Sequence, residues 1–75
     1  MRYFFHIRSD DGLIRDEEGT ELPDIDAARS EARLSARDFA MDDLRRGVPV
    51  VPRRIEIADD CGQVLGMLPV RDVVS

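Results

Sequence analysis

Seventy-five residues leave room for one small core and no second lobe. Sixteen acidic residues against eleven basic ones give a net charge of -5, which argues against a general binder of phosphate backbones. No apolar run approaches the roughly 18 residues of a membrane span, and the N-terminus lacks a signal peptide's apolar stretch. A lone cysteine makes no internal disulfide, so the chain reads as a cytoplasmic protein with no membrane contact. All eleven basic residues are Arg, which points to composition bias more than to a function.

The first element is a strand, Arg2-Tyr3-Phe4-Phe5-His6-Ile7-Arg8, rich in aromatic and β-branched residues. Its period of two sets Tyr3, Phe5 and Ile7 on one face and Phe4, His6 and Arg8 on the other. Ser9-Asp10-Asp11-Gly12 supplies turn chemistry, and Leu13 to Asp16 returns as a short, charged edge strand, closing a hairpin over 2–16. After Glu17-Glu18-Gly19 and Thr20 to Pro23, Asp24 is the natural N-cap of a helix over 25–46, with Gly47 as its left-handed C-terminal residue. Ile25, Ala28, Ala32, Ala36, Phe39 and Ala40 share one helix face, mostly Ala, so the axis can approach its packing partner closely.

A linker over 47–52 holds two prolines, and a second hairpin spans 53–69. Its first strand alternates Ile55 and Ile57 against Arg54 and Glu56. Strict alternation in its second strand puts Val64 and Leu68 on one side, Leu65 and Met67 on the other, and Pro69 marks an edge. A tail over 70–75 completes a single α+β domain, ββαββ, with one long helix on one face of a four-stranded antiparallel sheet. Keeping every neighbour antiparallel gives the strand order 2-1-3-4.

Chemistry-bearing residues are few. His6 reads as a half-buried sheet histidine; Cys61 sits in an acidic turn beside Asp59 and Asp60, where no reactive thiol is expected. Asp16, Glu17, Glu18, Glu21, Asp24 and Asp26 crowd eleven positions, but counted from Asp16 the glycine required sixth in a calcium loop is Glu21, and no acid stands twelfth. Neither a phosphate loop, a nucleophile elbow nor Cys/His metal spacing is present, so no enzyme, cofactor or metal site is expected.

Surface is the more informative feature. On the helix, Ala27, Leu34 and Met41 recur every seven residues, with Ser30, Arg37 and Leu44 in companion positions, between an Arg29-Arg33-Arg37 flank and a Glu31-Asp38-Asp42 flank. The pattern resembles a short coiled-coil seam, although isolated apolar residues on a solvated helix are common. A four-stranded sheet is about 15–20 Å wide, whereas a helix covers only ~10–12 Å, so part of the sheet stays bare. Phe4, His6, Leu65 and Met67 on the sheet, with Leu34 and Met41 on the helix, are therefore candidate interface residues. Burial against a second copy, as a homodimer, is the economical outcome. The reading is a non-enzymatic, self-associating interaction module, with an unidentified protein partner as a further possibility and no nucleic-acid role. The alternative is a small-ligand or divalent-ion regulator using the acidic loop 16–26 or the His6 face.

Tyr3-Phe4-Phe5-His6-Ile7, Asp16-Glu17-Glu18-Gly19-Thr20-Glu21-Leu22, Ala27-Ala28-Arg29, and Arg54 to Asp59 with Gly62 occur together. In this combination the chain resembles a family of small bacterial proteins known only as a domain of unknown function, over nearly its whole length. The resemblance implies a stand-alone cytosolic protein, common in soil bacteria, with no activity, cofactor or catalytic residue to carry over. Cys61 departs from the polar residue expected at its turn position.

Overall fold

A computed structural model describes residues 1–47 and 52–70. Its elements are β1 (Arg2–Ser9), β2 (Gly12–Ile14), β3 (Thr20–Glu21), α1 (Ile25–Arg45), β4 (Arg53–Ala58) and β5 (Val64–Pro69). The sheet is antiparallel with the order β2-β1-β4-β5, and β3 pairs with the start of β1. The four longer strands thus lie in the order that antiparallel neighbours require. The strand that patterning missed is β3, two residues long and too short to show a period.

The helix starts where its cap chemistry says it should. The Asp24 carboxylate accepts from the Ala27 N–H at 2.8 Å, and Asp26 adds negative charge to the first turn. It ends on Arg45, one residue before the expected boundary, and Gly47 follows at φ +74° with its N–H donating to the Leu44 carbonyl. Ala28, Ala32, Ala36 and Ala40 are fully buried against Tyr3, Ile55, Ile57 and Val70. Because alanine keeps the axis close to the sheet, the larger side chains Ile25 and Phe39 fill the flanks of the same core.

The helix lies over β4 and β5, so it roofs only part of its own side of the sheet. Ile14, opposite Ile7 on that side, remains exposed. One element departs from simple alternation. The β4–β5 register runs Ile57 opposite Gly66 and then Ala58 opposite Val64, a bulge that leaves Leu65 as the extra residue. Leu65 therefore packs against the core beside Leu68, and Val64 turns to the far side with Met67. This corrects the expected placement of Leu65 on the open face: the bulge exchanges the two side chains. The linker residues 48–51 and the tail residues 71–75 lie outside the described residues. Val70 is fully buried, and its N–H donates to the Arg53 carbonyl at 2.9 Å.

Candidate functional site

The sheet face away from the helix collects the side chains that register places opposite one another. Phe4, His6 and Arg8 come from β1, Arg54, Glu56 and Ala58 from β4, Val64, Met67 and Pro69 from β5, and Leu13 from β2. The Phe4 and His6 rings stack with centroids 6.3 Å apart and planes 17° from parallel. Phe4, Val64 and Met67, around the fully buried Ala58, make one half of the face apolar, and Met67 is 59% exposed and Val64 48%.

The other half is polar. Glu56 is only 6% exposed, and Arg8 Nε donates to its carboxylate. A carboxylate desolvated to this degree needs its counter-charge, so the pair fixes the centre of the face. This narrows the expectation of a broad greasy surface to an apolar half-face bordered by a charged pair.

A loop closes the end of the face near Phe4. Asp16 organises it: one carboxylate oxygen accepts from the Phe5 N–H at 3.1 Å, and the other accepts from the N–H groups of Glu18 and Gly19 at 3.3 and 3.2 Å. The Asp16 N–H in turn donates to His6 Nδ1 at 3.0 Å. His6 is thus a half-buried residue whose ring nitrogen accepts a backbone bond.

Partial burial pushes the Asp16 carboxyl up, but the donors from Phe5, Gly19 and Glu18, with the nearby His6, together hold it below the ordinary 3.8. A carboxylate depressed in the folded state contributes stability above its unfolded value and loses it as pH falls through the folded one. Wild type is therefore expected to be more stable than Asp16→Asn at neutral pH, with the gap closing as pH drops below 3.8. Urea melts of both proteins across acid pH check this; a gap independent of pH would contradict it.

The remaining loop residues also serve the fold. Gly19 passes at φ +72° against β1, Thr20 and Glu21 pair with Tyr3 and Arg2, and Leu22 donates its N–H to the Met1 carbonyl at 3.0 Å while its side chain meets the core. The segment Asp16 to Leu22 is accounted for as a clasp on β1. Its carboxylates do not converge. Among the described residues, the cluster of metal-type side chains with converging atoms is Asp59, Asp60 and Cys61, in an exposed turn where Asp59 already accepts from the Cys61 and Gln63 N–H groups.

Of the sequence-derived interface residues, Phe4, His6 and Met67 come together on the open face, and Leu65 leaves it. Leu34 and Met41 are exposed on the outer side of α1, so the two sets form separate surfaces. Val64 and Leu13 join the open face without having been anticipated, Val64 because only the bulge brings it there. Among the described residues, no helix is long and apolar enough to cross a membrane.

No curated protein and no solved structure matches this chain. A family profile matches residues 2–71, all but a few terminal positions. On that match, and with the clasp and both hairpins inside it, the chain belongs to the family described as the domain of unknown function DUF6894.

Proposed function

We propose that the protein is a non-enzymatic interaction module that self-associates by burying the apolar half of its open sheet face against a second copy. The observation that carries this reading is the exposure of Val64 and Met67 beside Phe4, on a face over which no helix or strand among the described residues packs. Apolar side chains grouped on one exposed sheet face are the natural place for a contact on a domain this small.

The size of the face sets the expected strength. Four strands at ~4.8 Å spacing and six residues at ~3.4 Å give roughly 300–400 Å² for the whole face and about half of that for its apolar part, well below the ~800 Å² per partner of a standard stable interface. A reversible dimer forming in the micromolar range is the corresponding expectation. The Arg8–Glu56 pair and the Phe4–His6 stack are prearranged, so little ordering cost remains to be met on association.

Light scattering at tens of micromolar should report a dimer, and dilution should dissociate it. Val64→Glu, at an exposed position, should yield a monomer with an unchanged melting profile at low concentration. A wild-type protein that stays monomeric at these concentrations overturns the reading. The same experiment with Leu34→Glu distinguishes the outer helix surface, which this reading leaves free.

A further inference from the structure

Among the described residues no strand pairs with the outer edge of β5, and its defences are confined to its two ends, the bulge at Leu65 and Pro69. Free sheet edges are commonly blunted by charged side chains, yet Val64–Pro69 contains none, and Pro69 protects only its last position. Because the Val70 N–H points inward to Arg53, two-residue alternation directs the Met67 N–H and carbonyl outward, to the open edge.

Beside that edge runs a groove of about 220 Å³, lined by Arg29 and Arg33 of α1, Ile57 of β4, and Gly66, Met67 and Leu68 of β5. The groove is open at Gly66, where a Cβ would meet nothing within 4 Å. Neither arginine has an ion-pair partner among the described residues, in a chain whose net charge is -5.

Spacing completes the pattern. Arg29 and Arg33 stand one i,i+4 step apart, about 6 Å along the helix, and alternate residues of an extended strand recur every ~6.8 Å. We propose that this edge docks an extended segment of a partner protein that carries acidic residues at alternate positions. The segment's backbone pairs with Met67, its carboxylates meet Arg29 and Arg33, and its other side continues the apolar half of the open face. A second copy of β5 is the poorer occupant. Two-fold antiparallel pairing would put both helices on one side of a continuous sheet and turn the Arg29-Arg33 flank of each protomer toward that of its partner. The inference stands independently of self-association through the open face.

The test uses the full chain and a fluorescein-labelled peptide of alternating Glu and Val, followed by anisotropy at low salt. Saturable binding is expected, weakening by at least about tenfold in Arg29→Glu/Arg33→Glu and by a similar factor when Lys replaces Glu in the peptide. Met67→Pro should abolish binding by removing the outward N–H, while Met67→Leu, which keeps it, should bind as wild type does. Absence of saturable binding to wild type, or equal affinity in the charge-reversed double variant, overturns the proposal; that variant alters only exposed helix positions and keeps the test valid if Met67→Pro fails to fold. A wild-type dimer converted to monomer by Met67→Pro and untouched by Val64→Glu would assign the edge to a second copy and overturn it as well.

Discussion

Gly19→Ala is expected to destabilise the protein by about 3 kcal/mol, the sum of a left-handed backbone strain of ~1 kcal/mol and an overpacking cost of ~2 kcal/mol. Gly19 sits at φ +72°, and a Cβ there would lie 2.9 Å from Phe4 Cε1, 2.9 Å from Arg2 Cγ and 3.0 Å from the Tyr3 carbonyl oxygen. The arginine chain can swing aside. The carbonyl is backbone in a residue paired to Thr20, and the Phe4 ring is held in its stack with His6, so neither yields cheaply. Gly47 provides the internal control: it has nearly the same φ, +74°, with nothing within 4 Å of a Cβ. Gly47→Ala should therefore cost only the strain, about 1 kcal/mol. Denaturant melts of the two variants at one fixed protein concentration separate the contributions, and equal losses would show that the clasp does not approach β1 as described.

That clasp also marks the limit of what the sequence reveals. The two hairpins, the Asp24 cap and the alanine stripe are local or periodic signals, and each maps onto the element it predicts. The antiparallel order followed from connectivity alone. By contrast, β3 exists because Asp16, Gly19 and Leu22 each bond or pack against β1, and such non-local contacts leave no period to read. The bulge at Ile57 and Ala58 is similarly silent in the sequence, yet it decides which of Val64 and Leu65 faces the candidate interface. Glu56 looked like an ordinary outward strand residue; its burial depends on Arg8 reaching over from β1, a diagonal neighbour that only the register defines. In the six-carboxylate loop, spacing already argued against a calcium pattern, but the sequence could not show that Asp16 spends both carboxylate oxygens on backbone donors.

Asp43→Leu is the second change with a large expected effect, a loss of about 3 kcal/mol, because removing one member of a buried ion pair strands the other. Asp43 Oδ2 accepts from Arg53 Nη2 at 2.5 Å, with side-chain exposures of 10% and 19%, and the Arg53 guanidinium lies 5.1 Å from the centroid of the Phe39 ring. This is the point at which the last turns of α1 are tied to the first residue of β4, so the pair fixes the helix against the strand that the chain re-enters. Among the described residues, the guanidinium without Asp43 keeps the ring face, worth ~1 kcal/mol, against a desolvation penalty of several. Replacing both members tests whether the loss comes from the stranded charge: Asp43→Leu/Arg53→Met should recover most of the stability, since apolar side chains of similar volume serve a buried site as well as a paired charge does. A double variant as unstable as Asp43→Leu would instead assign the loss to what Asp43 holds besides Arg53, or to packing around Phe39. A single variant costing less than about 1 kcal/mol would show that water screens the pair, and that the helix is held to β4 by its apolar packing.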